Sequence, residues 1–284
     1  MAQVEELLLR DIPQEVIGDA AASIAQYVVG LVRVEDGPQR QDVVLLGSGT
    51  LVSVGFTKAI LTAHHVLRVL PKQGRLGLIL EASLQAHTVD TGGLSYLPIA
   101  RGEVDALGPD LGAVILAPSI AAAIAAKKSF YNLDSRRDQQ LNAPLDLRDG
   151  FWFTNGFIDE YTVTHPAEDG RGLVKGFYNL SGAGGPEDRQ VRDGYDYHFF
   201  PVSYSGRSVA PKRFNGMSGG GVWQVPLARD GDGTIRHKRP LLSGVVFYQE
   251  PTSETTCGVT CHGRASVYDA AYKAIQLTQS CTSR

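Results

Sequence analysis

Apolar residues in this chain fall mostly into short runs rich in β-branched side chains, the pattern typical of β-strands. Glycine and proline turns separate these runs. Strands are predicted over residues 27–34, 43–54, 111–116, 151–157, 173–180, 195–204, 221–225 and 241–248, with shorter runs between residues 76 and 99. The pattern therefore predicts an all-β fold.

Helical periodicity is confined to a few segments. Apolar positions at residues 16, 17, 20, 21 and 24 predict an amphipathic helix over residues 14–25. It is expected to pack on the rest of the chain, with partner docking or autoinhibition as the alternative. An alanine-rich helix is predicted over residues 119–128 with Ser119 as its N-cap, and a terminal helix over residues 269–278 capped by Asp269.

Two stretches are predicted to be loops, because they lack a clear strand pattern. Residues 181–194 are rich in glycine and acidic side chains, which is typical of a mobile surface loop. Residues 257–262 contain Cys257, Cys261 and His262 and are expected to form a loop near a cleft. Two thiolates and an imidazole suggest a zinc site, but a fourth ligand is missing nearby, so neither a metal nor a cofactor is predicted.

Composition narrows the class of protein. The 284 residues are enough for one domain of two packed barrels or for two small domains. A net charge of −3 argues against nucleic acid or an anionic membrane as the main partner. Long apolar runs and a basic leader are both missing, and the three cysteines all follow residue 256, so a cytoplasmic protein without a disulfide framework is expected.

The glycine-rich stretch over residues 214–223 places Ser218 between Gly216 and three glycines at positions 219–221. Such a cluster costs roughly 0.5–1 kcal/mol per glycine in regular structure, so it indicates positive φ or close backbone approach. One interpretation is a serine nucleophile with an oxyanion hole made by the amides of Gly216 and Ser218. The other is a simple turn before a strand.

A serine nucleophile requires a base and an acid, and the chain contains candidates for both. His64 and His65 lie in the segment Leu-Thr-Ala-His-His-Val, and either is a candidate base. Asp110 opens the apolar run over residues 111–116, whereas the competing Asp105 lies in a stretch without a buried strand.

The motifs LTAHHV, DLGAVIL and GMSGGG, in the order His, Asp, Ser, resemble those of the trypsin-like (chymotrypsin-fold) serine proteases. Residues 46–52 also resemble a strand of the bacterial members. The resemblance runs from about residue 27 to the C-terminal helix. It implies two six-stranded antiparallel β-barrels with short N-terminal and C-terminal helices.

The same resemblance implies a division of the chain. An N-terminal helical extension covers residues 1–25, and a protease domain covers residues 26–284. Within that domain we expect barrel one at about 26–118, a linker at about 119–149, barrel two at about 150–268 and a C-terminal helix at 269–279.

Roles follow from the family motifs. The family histidine directly precedes Cys or Val, so His65, which precedes Val66, is the expected base, with Asp110 as its acid and Ser218 as the nucleophile. Lys212, Phe247 and Tyr248 align with substrate-binding positions. An inward Lys212 would favour an acidic residue before the cut bond, and an outward one would be an ordinary loop lysine.

Two departures from the family pattern carry information. Met217 replaces the aspartate that pairs with a newly cut N-terminus, so activation of that kind is not expected. Phe247 replaces a serine that contacts the acid, so support for Asp110 must come from elsewhere.

The resemblance implies a serine endopeptidase that acts on a protein or peptide substrate. The alternatives are an inactive protease-fold binding or scaffold protein, and a protease that stays inactive until a regulatory partner or effector orders its loops.

Overall fold

The computed structural model describes residues 11–36, 41–80, 87–102, 108–161, 165–166, 172–173, 177–183, 185–203, 213–251 and 256–282. The helices are α1 Gln14–Ala25, α2 His64–Val69, α3 Pro118–Ala125, α4 Asp134–Asn142 and α5 Tyr272–Thr282. A π-helical turn, Ser266–Ala271, leads directly into α5. None of the described helices is long and apolar enough to cross a membrane.

Strands make up most of the remaining structure. In the first half they are β1 Val28–Asp36, β2 Gln41–Val54, β3 Thr57–Thr62, β4 Arg75–Ile79, β5 His87–Asp90, β6 Leu94–Arg101, β7 Asp110–Leu116 and β8 Tyr131–Asn132. In the second half they are β9 Phe151–Phe157, β10 His165–Pro166, β11 Gly172–Leu173, β12 Phe177–Ala183, β13 Asp188–Arg192, β14 Tyr195–Ser203, β15 Gly221–Val225, β16 Leu227–Arg229, β17 Ile235–His237, β18 Leu241–Pro251 and β19 Thr256–His262.

Two antiparallel sheets contain most of these strands, while β10 pairs with β11 and β16 pairs with β17 in two small two-stranded sheets. The first has the order β5-β4-β1-β2-β3-β7-β6, with β8 pairing in parallel with β2, and the second has the order β12-β9-β15-β18-β19-β14-β13. Each path contains seven strands where the resemblance implies six. The extra strands, β5 and β13, lie at the ends of the paths, where each forms a hairpin with its neighbour and pairs an otherwise open edge. The expected all-β architecture of two curled sheets with short helices is confirmed. The domain boundaries stay a prediction.

An apolar core fills the seam between the two sheets. It takes side chains from β2, β3 and β7 of the first sheet and from β9, β15 and β18 of the second, together with α1 and the terminal helix. Tyr27 stacks on Trp223 with ring centroids 5.4 Å apart. Tyr131 meets Tyr27 and Trp223 edge-on at 5.4 Å and 5.3 Å. This core holds the sheets together and so fixes the surface on which the candidate site lies.

The predicted bounds are correct for α1, β9 and β15, and several other elements differ from the prediction. Helix α1 has the predicted bounds and buries Ala20 and Ile24. Helix α3 spans Pro118–Ala125 rather than residues 119–128, and the prediction of Ser119 as its N-cap is wrong. Ala117 takes that position and Pro118 is the first helical residue, where proline suits the helix and needs no amide partner. The prediction of loops is wrong for residues 181–183, 188–192 and 257–262, which lie in strands β12, β13 and β19. Strand β13 forms there by main-chain pairing with β14 despite its exposed side chains, and β19 is an inner strand of the second sheet.

The terminal helix is also not capped by Asp269. It begins with the π-helical turn at Ser266, and Asp269 lies inside that turn, where its carboxylate pairs with Arg137 and Lys273. The amides at the start are satisfied instead by a residue distant in sequence. The carboxylate of Asp196, on β14, accepts from the amides of Ala265 at 3.0 Å and Ser266 at 2.6 Å.

We expect Trp223→Ala to lower the free energy of unfolding by about 3–5 kcal/mol, because it leaves a cavity in the seam between the sheets. Urea unfolding followed by far-UV circular dichroism measures this. Phe56→Ala is the matched control, because Phe56 is 101% exposed whereas Trp223 is 0% exposed. Equal small losses in the two variants would show that the seam is not a packed core.

Candidate active site

His65 is positioned by a short helix that follows β3. Two side chains of α2, Val66 and Leu67, are buried and hold the helix against the first sheet. Leu67 packs over Gly112 of β7, where an added Cβ would come within 2.9 Å of the leucine Cδ2. The missing side chain at Gly112 therefore lets α2 lie close to the strand that begins with Asp110. The His65 side chain remains 25% exposed.

Asp110 holds His65 from two sides. Its carboxylate accepts from the His65 main-chain amide at 2.8 Å and lies 2.5 Å from the ring Nδ1. A carboxylate at Nδ1 favours the tautomer with the proton on that nitrogen, which leaves Nε2 as the acceptor. Within the described part of the chain, no bond joins this carboxylate to His64, whose pKa is lowered by burial against the opposing effect of Asp110. Asp105 lies outside the described residues.

His262 supports Asp110 from behind. The main-chain amide of Asp110 donates to His262 Nε2 at 3.0 Å, across the seam from β7 to β19. The other ring nitrogen, Nδ1, lies 3.3 Å from the Ser266 hydroxyl. Burial lowers the pKa of His262 to about 4, although Asp110 and Asp196 act in the opposite direction. His262 is therefore a neutral acceptor at physiological pH.

Asp196 completes this support. Burial by itself raises the pKa of its carboxyl, but hydrogen bonds from His198, from the amide and hydroxyl of Ser266 and from the amide of Ala265 lower it to about 2. The Ser266 hydroxyl lies 2.8 Å from Asp196 Oδ1. A chain of polar contacts thus runs from the buried carboxylate of Asp196 through Ser266 and His262 to Asp110.

The loop that carries Ser218 requires glycine at two places. Gly216 has φ +93° and Gly219 has φ +91°, both in the region that L side chains rarely adopt. A Cβ on Gly216 would lie 2.9 Å from the Phe157 carbonyl, and one on Gly219 would clash with the Ser48 carbonyl and the Thr62 hydroxyl. The glycines therefore allow the loop to turn while it packs tightly against β2 and β9.

Two carbonyls of this loop are held by hydrogen bonds within the protein. The carbonyl of Asn215 accepts from the Asp159 amide, and the carbonyl of Met217 accepts from the Gly220 amide, each at 2.8 Å. In a trans peptide the N–H points opposite to the C=O, so the amide of Gly216 points away from Asp159 and the amide of Ser218 points away from Gly220. Among the described residues, neither of these two amides has a hydrogen-bond acceptor, whereas the amides of Met217, Gly219 and Gly220 each have one.

Ser218 lies beside α2. Its carbonyl accepts from the Ser48 amide at 2.8 Å, and a Cβ on Gly47 would touch both this carbonyl and Val66, the residue after His65. The Ser218 hydroxyl donates to the Phe247 carbonyl at 3.2 Å. Within the residues that the structure describes, no hydrogen bond joins this hydroxyl to the His65 ring.

Comparison with solved structures identifies the fold. No protein-family model matches the sequence, and no curated protein matches it. The crystal structure of the Drosophila Grass clip serine protease of the Toll pathway matches with a TM-score of 0.51, at 12% identity, over 90% of this chain and 70% of that chain. The chain has the chymotrypsin-like fold.

Two viral structures match at lower scores. A structure from work on the intrinsically disordered Sesbania mosaic virus VPg protein matches with a TM-score of 0.40, at 13% identity, over 87% of this chain and 90% of that chain. The tobacco vein mottling virus protease matches with a TM-score of 0.35, at 12% identity, over 84% of this chain and 77% of that chain.

The remaining predicted site residues differ in their burial and in their position relative to Ser218. Phe247 is 1% exposed, and its ring packs 4.9 Å from that of His262, so only its main chain faces Ser218. Tyr248 is half-buried on the same strand. Lys212 lies outside the described residues. Met217 is fully buried in an apolar cluster, so no charge anchors the loop at that position.

The zinc interpretation of the cysteine-rich segment has no support in the described residues. Among the described residues, no three histidine, cysteine or acidic side chains lie together in a group that could hold a metal ion. Cys261 is a free, buried thiol. Both ring nitrogens of His262 face partners within the protein, which leaves neither for a metal ion.

Sequence reasoning missed Ser48 and Asp196 and assigned His262 to a loop. Ser48 had one local signal, a polar residue between two glycines within an otherwise apolar strand. The other two gave none, because their partners lie far away in sequence. The bond between Asp110 and His262 spans 152 residues.

The buried His262 predicts a defined loss of stability in acid. Above pH 6.5 the ring is neutral in both the folded and the unfolded chain, so it has no effect. Between pH 6.5 and about 4 the unfolded chain binds a proton that the folded chain does not, so stability falls by about 3 kcal/mol through that window.

Urea unfolding at a series of pH values measures this effect. His262→Gln keeps an acceptor for the Asp110 amide but does not titrate, so its stability should fall less than that of the wild type between pH 6.5 and 4. Equal slopes for the two proteins would mean that His262 is not held neutral by burial.

Proposed function

We propose that this protein is a serine endopeptidase that uses His65, Asp110 and Ser218. The observation that carries the proposal is the two-point bond of Asp110 to His65, at 2.8 Å and 2.5 Å, beside the loop that holds Ser218. A carboxylate that fixes Nδ1 leaves Nε2 facing outward as a base. The chymotrypsin-like fold is consistent with this chemistry, but a fold hosts many functions, so the geometry of the site carries the proposal.

In the proposed reaction the Ser218 hydroxyl transfers its proton to His65 Nε2 as Oγ bonds to the carbonyl carbon of the substrate. Collapse of the tetrahedral intermediate breaks the carbon–nitrogen bond, and His65 donates the proton to the leaving amine. Water then loses a proton to His65 and attacks the acyl ester, which releases the acid and restores the Ser218 hydroxyl. Asp110 stabilises the imidazolium in both halves of the reaction.

The amides of Gly216 and Ser218 would form the oxyanion hole. Their support is that the carbonyl of each of these peptides, on Asn215 and on Met217, is held by a bond within the protein, so that each amide points away from that bond. Backbone donors fixed in advance stabilise the charge that develops on the carbonyl oxygen, and one such donor is worth about 10²–10³ in kcat.

The substrate in this proposal is a protein or peptide, and Tyr248 and the main chain of Phe247 would contact it beside Ser218. Met217 supports activity without an inserted N-terminus, because it offers no carboxylate for one. Four further expectations stay predictions. They are a role of Lys212 in specificity, the resemblance to bacterial members, a cytoplasmic location and a regulatory partner.

One observation favours a second candidate, a protease that is inactive until an effector orders the site. The Ser218 hydroxyl bonds the Phe247 carbonyl rather than His65. Rotation about one side-chain bond would redirect it, and catalytic hydrogen bonds often tighten only when substrate binds. The two candidates therefore differ in whether the free protein already reacts.

A fluorophosphonate probe tests the proposal directly. Wild-type protein should be labelled at Ser218, and labelling should be lost in Ser218→Ala and His65→Ala. Ser243→Ala is the matched control, because this serine lies away from the site in β18, where its buried hydroxyl bonds the Leu241 carbonyl. Folded wild-type protein that never reacts would contradict the proposal and favour a scaffold. Labelling that requires an added effector would favour the second candidate.

Asp110→Asn should slow labelling by about 10³–10⁴ while the protein stays folded, because the amide group would favour the wrong tautomer of His65. The second-order rate constant for the fluorophosphonate measures this. A variant that reacts at the wild-type rate would remove Asp110 from the proposed mechanism.

A further inference from the structure

Ser48 is a fully buried residue of the first sheet whose hydroxyl and amide bond the second half of the chain. Its hydroxyl donates to the Gly216 carbonyl at 2.7 Å and accepts from the Phe157 amide at 2.7 Å. Its amide donates to the Ser218 carbonyl at 2.8 Å, and its carbonyl accepts from the Thr62 hydroxyl at 2.8 Å. Four hydrogen bonds thus converge on one small residue.

The direction of the hydroxyl bond is fixed by its neighbours. Because the Phe157 amide has only a proton to give, the Ser48 oxygen must act as the acceptor in that bond. The hydroxyl proton is then available for the Gly216 carbonyl, which can only accept. The Gly216 carbonyl is therefore held by a donor that cannot reverse its role.

The amide of Ser48 is available because β2 leaves its neighbour at this point. The pairing of β2 with β3 begins at Thr50 opposite Leu61, two residues after Ser48. On the other side of β2 the register with β1 shifts next to Gly47. Because Ser48 lies beyond the end of the pairing with β3, its main chain can bond the loop that carries Ser218.

The peptide on each side of Gly216 is held by a different element. The Asn215 carbonyl is held by the Asp159 amide, and the Gly216 carbonyl is held by Ser48. Gly216 lies at φ +93°, and glycine at such a position rotates with little steric cost, so the orientation of its amide depends on these outside bonds. Met217 contributes packing but no charged anchor.

We propose that Ser48 is a positioning residue for the oxyanion hole. Its hydroxyl fixes the Gly216 carbonyl, so that the amides of Gly216 and Ser218 face the same point. This inference rests on the proposed function, and it adds a residue that touches neither the substrate nor the reacting atoms. Loss of the hydroxyl removes the donor to the Gly216 carbonyl and the acceptor of the Phe157 amide.

Ser48→Ala tests the proposal with a peptide substrate selected from a library on the wild-type enzyme. We expect kcat to fall about 10-fold to 100-fold with KM within about twofold of the wild-type value, since oxyanion donors act mainly in the transition state. The fluorophosphonate rate should fall by a similar factor. A purely structural role would lower the melting temperature without this separation of kcat from KM.

Ser243→Ala is the matched control, because it also removes a buried serine hydroxyl, from β18 and away from the loop. It should leave kcat and KM unchanged. Ser48→Cys fills the space of the serine with a weaker donor and is a second variant that tests the bond if the alanine variant unfolds. Its kcat should also fall, with KM unchanged.

The outcomes separate the two proposals. Wild-type protein that never labels overturns the proposed function, whatever Ser48 does. Wild-type protein that labels, together with folded Ser48 variants that keep wild-type kcat, overturns the positioning role alone. A rise in KM at constant kcat also overturns it, because it would make Ser48 a determinant of substrate binding.

Discussion

Hydrogen bonds across the seam between the two sheets are the constraint on which the rest of the structure depends. The Ser48 amide of the first sheet bonds the Ser218 carbonyl at 2.8 Å, and the Asp110 amide bonds His262 of the second sheet at 3.0 Å. The first bond attaches the serine loop to β2, and the second attaches the aspartate strand to β19. Each half of the candidate site is therefore held by the opposite sheet, and neither sheet alone can form it.

The apolar core and these polar bonds contribute different things. Burial of aromatic and aliphatic side chains around Trp223 supplies most of the stabilisation, about 25 cal/mol per Å² of apolar surface, but it has no direction. Hydrogen bonds add little net free energy and a strict geometry. Buried polar groups are costly when unpaired, and the hydroxyl of Ser48 and both ring nitrogens of His262 have partners. In the seam, the apolar core therefore supplies most of the stability, and the polar contacts fix the relative position of the two sheets.

Local patterns predicted the parts of the fold that depend on neighbours in sequence. The period of apolar residues gave the bounds of α1, and the alternation of short apolar runs gave most strands. Helix α2 was not predicted, because its six residues, directly after β3, are too few to show a helical period. Strand β13 was not predicted, because it is held by main-chain pairing with β14 and its polar side chains show no strand pattern.

Motifs likewise brought together His65, Asp110 and Ser218 as candidates, but not the residues that hold them. Ser48 lies 168 residues from Gly216, and Asp196 lies 70 residues from Ser266, so no spacing rule connects either pair. Polar residues of this kind are recognised only when a fold places them in apolar surroundings with their bonds satisfied.

Phe247 occupies the position at which the trypsin-like proteases that this sequence resembles often have a serine, and the support of Asp110 has a different form here. A hydroxyl donor on the carboxylate would share its charge with the bond to His65. His262 instead accepts from the Asp110 main-chain amide, so it fixes the position of the residue without drawing on that charge. Burial keeps the imidazole uncharged, with its pKa lowered to about 4, so no cation beside Asp110 competes for the carboxylate. The Phe247 ring, packed 4.9 Å from His262, contributes to that burial and leaves the charge of Asp110 for the bond to His65.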